Sequence, residues 1–320
     1  FFKNLGEIQF ASSSRPKGLQ KQSSILIYDR KLVKAVPGFS VFIKKFRHSF
    51  SVTAGEDLKS IDRFQGLAYE IHAAVGDRVT RDWTVVAVGG GSVGDAAGFF
   101  SSVYKRGLRL VHIPTTWLAA IDSSHGGKTA LNLAGAKNQI GTFYPADETI
   151  LVRAILESLS MGHSRDALGE LAKAGLLTGG LWRKIKPPRV RGSIDRGLNE
   201  FLWRKLPMAI AAKMQIVNRD PTETRGDRQL LNLGHTFGHV IEASQGLTHG
   251  LSVGLGLCFA IDVSEAIGCL TPSKAEELRG WLAEFDISKS MLAKAGFKKL
   301  SALQAARLLR NDKKRASGDF

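Results

Sequence analysis

The chain has 320 residues and 43% hydrophobic content, enough for two domains or one large one, and the composition excludes a disordered protein. Its net charge of +16 comes from 45 basic against 29 acidic residues spread along the chain, with no block of interleaved aromatics and no nucleic-acid motif. Three readings of the charge fit: nucleic-acid binding, which no motif supports and which is not expected as a partner; steering of a multiply charged anionic small molecule; or a solvated basic face.

Two cysteines, Cys258 and Cys269, argue against a disulfide scaffold and for a reducing, cytoplasmic compartment. The longest apolar run, residues 251–261, is too short to span a bilayer, so no membrane is expected as a partner. The first residues show no apolar segment before a small-residue cleavage site. The chain begins on Phe1, so a missing N-terminal end is expected.

In chain order, residues 24–29 (Ser-Ile-Leu-Ile-Tyr-Asp) read as a buried strand carrying Asp29 at its C-terminal end, the end that faces ligand in a doubly wound sheet. Residues 41–44 read as a second short strand, and residues 55–60 lead into a helix toward Val75. The run 83–99 enters Gly89-Gly90-Gly91 from β-branched residues and leaves through small helix formers, which predicts strand, tight turn and helix. Such a turn lets backbone approach a pyrophosphate at a helix N-terminus, although a glycine cluster that merely turns the chain fits the same residues. Residues 108–116 form another predicted strand, ending in Pro114-Thr115-Thr116. Residues 122–129 and 135–141 read as loops rich in Gly, Ser, Lys and Asn, and Arg106, Lys128 and Lys137 make that region cationic. Beyond about Arg153 helical periodicity takes over, with helices expected over 164–177, 201–217, 251–267 and onward to about Leu309. Glu170 and Lys173 share a helix face, for which a surface ion pair is the ordinary explanation. The resulting fold class is α/β: a Rossmann-like nucleotide-binding domain over 1–152, then an α-helical metal- and substrate-binding domain over 153–320.

Residues 228–250 place three of the eight histidines within fifteen residues. His235 and His239 fall on one helix face, and His249 follows a Gly-containing break. A divalent-metal site and a helix with two satisfied core histidines both fit this spacing.

Four blocks carry a family resemblance in order and spacing: residues 89–95, 114–116, 122–129 with Lys137-Asn138, and 228–250. Together they resemble the 3-dehydroquinate synthase family of sugar phosphate cyclases from about Asp29 to Lys314. The resemblance implies NAD, a zinc or cobalt ion, and a phosphorylated seven-carbon keto acid, 3-deoxy-D-arabino-heptulosonate 7-phosphate, converted to 3-dehydroquinate and phosphate in the shikimate pathway. It implies transient oxidation, phosphate elimination assisted by the substrate's own phosphate, reduction, and aldol closure. It assigns Glu170, His235 and His249 to the metal and leaves His239 on the substrate side. Arg106, Lys128, Asn138, Lys173, Lys213, Arg228, Asn232 and His239 match substrate-binding positions, with Asp122 near the reacting hydroxyls. Asp29, Glu56, Lys59, Gly90, Gly91, Asp95, Thr115, Thr116 and Lys137 match positions that hold NAD. A tail lysine, Lys313 or Lys314, would reach over the substrate, and a homodimer is implied.

The chain departs from the family pattern at Lys31, at Arg153, at Leu251 after the His-Gly pair, and at an inserted residue in Arg225-Gly226. It also ends soon after Lys314. The alternatives are another sugar phosphate cyclase, a metal-dependent polyol dehydrogenase, and a catalytically silent homologue or basic binding protein. Asp122 to Lys128 and Lys137-Asn138 argue against the dehydrogenase, and the intact Glu170, His235 and His249 set argues against the silent homologue.

Overall fold

Continuous β-branched runs satisfy their backbone only by pairing on both sides, and the first half of the chain stacks them into a six-stranded sheet. In the computed structural model, which describes residues 7–11, 23–188, 195, 197–288 and 304, the strands are β1 (Glu7–Ala11), β2 (Ser24–Asp29), β3 (His48–Val52), β4 (Thr84–Gly89), β5 (Arg109–Pro114), β6 (Lys128–Leu133), β7 (Ala136–Phe143) and β8 (Glu148–Val152). The sheet order is β1-β8-β5-β4-β2-β3, parallel except where β1 runs against β8; β6 and β7 form a separate antiparallel hairpin.

Alternation along the strands feeds two cores. Ile25, Ile27, Val85, Ala87 and Leu110 pack on one face with α3 (Ile61–Val75) and α4 (Gly91–Val103). Leu26, Val86, Val88, Val111, Ile113 and Ile150 pack on the other face. There they meet α1 (Leu32–Ala35), α2 (Phe39–Ile43) and α5 (Arg153–Glu157) through Leu32, Phe39, Phe42 and Ile155.

Residues 41–44, expected as a strand, lie instead in and just after α2. Phe39, Phe42 and Phe46 are spaced three and four apart and bring their rings into contact in sequence, the first pair tilted and the second edge-to-face. The second strand is His48–Val52. Residues 122–129 are largely the expected loop, leaving the turn at Ala119–Ser123 and entering β6 only at Lys128, whereas residues 135–141, also expected as a loop, lie in the β6–β7 hairpin, turned by Ala134 and Gly135 at positive φ.

The chain divides by packing into Phe1–Ser160 and Met161–Phe320. Arg153–Glu157 belongs to the first unit because Ile155 sits in its core. The second unit has no strand among its described residues and is built on α6 (Met161–Leu177), α7 (Leu198–Arg219), α8 (His235–Gln245), α9 (His249–Ala266) and α10 (Pro272–Glu284). No described helix is long and apolar enough to cross a membrane. Cys258 is buried and Cys269 exposed, and neither is in a disulfide. Lys313 and Lys314 lie outside the described residues.

His112 sits mid-sheet, paired with Ala87 of β4 and Thr149 of β8, its ring against Gly94 of α4. Burial pushes its pKa down from 6.5 to about 4. The folded state therefore prefers the neutral ring, and protonation favours unfolding. The stability this ring contributes is fully present above pH 6.5 and is lost as pH falls toward 4, by about 3 kcal/mol. Urea unfolding across that window checks this: wild type should lose more stability than His112→Gln, and parallel pH profiles would refute it.

Candidate metal centre and glycine turn

In the second unit three helices meet through glycine. A Cβ on Gly169 of α6 would run into the Gly250 carbonyl oxygen of α9. A Cβ on Gly250 would run into the Asp166 carbonyl oxygen of α6, and one on Gly256 into the Gly234 carbonyl oxygen ahead of α8. Gly234 itself stands at φ 78°, and a side chain there would meet Val253 O and Leu257 Cδ2 at 2.8 Å. Three of these four glycines adjoin a donor residue: Gly169 precedes Glu170, Gly234 precedes His235, and Gly250 follows His249. Side chains on separate helices are thereby brought within a few ångströms.

Their donor atoms converge. Glu170 Oε1 lies 3.4 Å from His235 Nε2 and 3.4 Å from His249 Nε2. One ligand atom from each residue lies within 4.8 Å of the others. Glu170 Oε2 meets Lys173 Nζ at 2.5 Å, and both side chains are buried, which removes the surface ion pair as an explanation. The His239 ring packs against both other imidazoles, with centroids 5.5 and 6.3 Å away, yet His239 stands outside the convergent donor set.

The far nitrogens of the two inward imidazoles are occupied. His235 Nδ1 faces the Leu233 carbonyl at 3.2 Å, which can only accept, so Nδ1 carries a proton and Nε2 is the nitrogen turned toward Glu170. His249 Nδ1 meets Glu242 Oε2 at 2.9 Å. Burial lowers the pKa of His249, but hydrogen bonds and charge from Glu170 and Glu242 outweigh it and push the ring up to about 10. The carboxylates thus call for positive charge where the two Nε2 atoms point.

The start of α9 is held from α6. Thr248 makes no side-chain cap, and Asp166 Oδ1 accepts the Leu251 N–H at 3.1 Å. Leu251, where the family pattern has Glu, contributes its backbone to this contact. Arg228, only 1% exposed, lies on the 3₁₀ turn Asp227–Asn232 that runs on to α8; its guanidinium donates to Pro221 O at 2.7 Å. Asp220 accepts the N–H groups of Thr224, Arg225 and Arg228 at 2.8, 3.1 and 3.3 Å. Its burial would raise the carboxyl, but those N–H groups and the Arg228 charge hold it below the usual range. Lys213 is buried on α7, and Asn232 is half-buried at the end of the 3₁₀ turn.

In the first unit the glycine turn follows expectation. Gly90 caps α4 without a side chain, so the first N–H groups of that helix are backbone donors at the end of β4. Asp29, Gly89 and Pro114 end adjacent strands at one level. Thr115 N–H donates to Gly89 O at 3.0 Å, and Thr116 Oγ1 accepts from Ala119 N at 3.2 Å. Lys59, buried, pairs with Asp95 at 2.7 Å and donates to Asn138 Oδ1. Asn132 donates to Glu56 Oε2 at 3.0 Å and accepts the Asn138 N–H at 2.9 Å, holding Asn138 at φ 55°. Asp122 lies in a π-helical turn, Ala119–Ser123. Arg106 (φ 64°), Lys128 and Lys137 are exposed on this unit.

Asp166, Asn132, Asp220 and Glu242 escaped the sequence reading because each acts through a neighbour. Spacing offered one clue: Asp166 lies one helical turn before Glu170.

Glycine contact at α6–α9 should be a condition for metal binding. In Gly250→Ala the two helices must part, so cobalt affinity by spectroscopic titration should fall at least about tenfold as the donors spread. Gly66→Ala, on an exposed face of α3 with open space around it, should leave cobalt binding unchanged and gain about 0.5–1 kcal/mol. Equal cobalt affinity in Gly250→Ala and wild type would refute the role of the contact.

Residues 49–166 match the family model described as 3-dehydroquinate synthase N-terminal, and residues 167–315 its C-terminal counterpart. The chain is 38% identical to the 3-dehydroquinate synthase of Xanthomonas axonopodis pv. citri over 244 residues, covering 74% of this chain and 65% of the relative. It is 37% identical to that of Rhodopseudomonas palustris over 283 residues, covering 85% and 72%. Among solved structures, 2-deoxy-scyllo-inosose synthase complexed with carbaglucose-6-phosphate, NAD+ and Co2+ matches with a TM-score of 0.76 at 25% identity, covering 91% of this chain and 78% of that one. With both halves matched in order, the chain belongs to the 3-dehydroquinate synthase family.

Proposed function

We propose that the chain acts as a 3-dehydroquinate synthase, a carbon–oxygen lyase that takes a phosphorylated seven-carbon keto acid to a carbocycle and free phosphate. The observation that carries this reading is the convergence of Glu170, His235 and His249 in a chain matching both halves of that family. Identity of 37–38% to dehydroquinate synthases, against 25% to the inosose synthase, favours this substrate over that of another cyclase. Cytoplasmic location and a homodimer belong to the same reading.

The donor set suits a divalent ion: one carboxylate and two imidazoles, with positions left over for substrate oxygens. Under this reading Glu170, His235 and His249 hold zinc or cobalt, which would polarise substrate oxygens and make a hydroxyl more acidic. The inosose synthase structure, which contains NAD+ and Co2+, supports assigning both here. NAD, when bound, supplies a reversible hydride acceptor; Gly90 and Gly91 are assigned to its pyrophosphate and Asp29 to a ribose. Glu56, Lys59, Asp95, Thr115, Thr116 and Lys137 complete that assignment.

The remaining work falls to charge and position. Lys173 is locked by Glu170, so its ammonium is pre-oriented and costs little to arrange when an anionic group arrives. We assign Lys213, Arg228, Asn232 and His239 of the second unit to the substrate's anionic groups and hydroxyls. In the first unit Arg106, Lys128 and Asn138 serve as further anion contacts, and Asp122 accepts from a substrate hydroxyl. Arg228 suits a carboxylate or phosphate because its fork is held from behind by Pro221 O.

The chain supplied with NAD+ and zinc should release inorganic phosphate from 3-deoxy-D-arabino-heptulosonate 7-phosphate without net NADH. No phosphate release would refute the reading, and NADH accumulating with a simple polyol would favour a dehydrogenase. Glu170→Ala and His249→Ala should each lose bound metal and phosphate release while keeping the wild-type circular dichroism. Unchanged metal content in either variant would remove that residue from the ligand set.

A further inference from the structure

Glu242 lies on α8 and makes no direct claim on the convergent donors, yet it meets one of them from behind. Its Oε2 sits 2.9 Å from His249 Nδ1, on the side of the imidazole opposite Glu170. Three facts give the contact weight. His249 is the first residue of α9 and 39% exposed at its side chain, the most accessible of the three donors. His235, buried, has its far nitrogen fixed by a carbonyl two residues away on its own chain. His249 instead depends on a side chain from a different helix, across the α8–α9 connection.

We propose that Glu242 is a positioning residue for the metal: its carboxylate accepts the Nδ1–H of His249, fixes the ring plane and tautomer, and turns Nε2 toward Glu170. A carboxylate behind an imidazole also raises the electron density on the ligating nitrogen, a gain a neutral carbonyl supplies less fully. His235 and His249 would then differ in strength as ligands, His249 being the more basic. Because Glu242 lies four residues before Gly246, which ends α8 at φ 66°, its placement ties ligand orientation to the length of the α8–α9 turn.

The inference rests on the metal reading above, and direct metal titration separates the two. Metal-free wild type, Glu242→Ala and Glu242→Gln are titrated with Zn2+ against a chelating indicator and with Co2+ by visible absorption. Glu242→Ala should bind both ions about 10–100-fold more weakly, the effect typical of removing such a partner. Glu242→Gln, whose amide oxygen can still accept from Nδ1–H, should recover part of that loss, and the cobalt bands of the Ala variant should shift. Zinc affinity of Glu242→Ala within twofold of wild type would overturn the proposal. So would a lowered melting temperature of both metal-free variants with no change in the cobalt bands, which marks a purely structural role. Failure of wild type to bind either ion would instead overturn the metal reading itself, and this proposal with it.

Discussion

Close backbone contact between helices is the constraint on which the second unit depends. The distance between packed helix axes is set by the side chains at the contact, and glycine there lets the backbones approach most closely. Here Gly169, Gly250 and Gly256 remove the intervening Cβ atoms, and Gly234 adopts a backbone that other residues resist. Glu170, His235 and His249 are neighbours of those glycines in sequence, so helix packing and donor convergence are one event. The same contact lets Asp166 on α6 supply the helix cap that α9 lacks from its own chain.

Burying charge on this scale is not a route to stability. Glu170 and Lys173 lose most of their hydration, and their mutual attraction repays that only in part. Lys213, Arg228 and Asp220 are buried in the same unit. A protein selected for stability alone would replace such groups with apolar ones. Under the proposed reading, Lys173, Lys213 and Arg228 are there to bind an anionic substrate. The first unit shows a milder form, in which Lys59, Asp95, Asn132 and Asn138 knit the glycine turn to the β6–β7 hairpin.

Much of this was legible from residues alone, for physical reasons that also explain the misses. A parallel strand buried on both faces reads as a nearly continuous apolar run, so residues 24–29, 83–89 and 108–114 could be read directly. The run at 41–44 misled because a short apolar stretch carries no period; Phe39 and Phe46, just outside it, held the helical spacing. Histidine spacing on α8 could not separate His235 from His239, because both project from one face. Only the approach of α6 and α9 makes His235 a neighbour of Glu170. Family resemblance supplied that pairing, and the geometry is consistent with it. Asp220, Asp166 and Glu242 are ordinary acidic residues in sequence, and their value lies in partners eight, 85 and seven residues away.

Glycine-mediated packing assembles one metal site from three helices. Anomalous diffraction from crystals grown with Co2+ tests it most directly. One strong peak per chain is expected at ordinary coordination distance, about 2.0–2.2 Å, from a Glu170 oxygen and the Nε2 atoms of His235 and His249. A peak coordinated by His239 in place of either histidine, or no peak at Glu170, would contradict it.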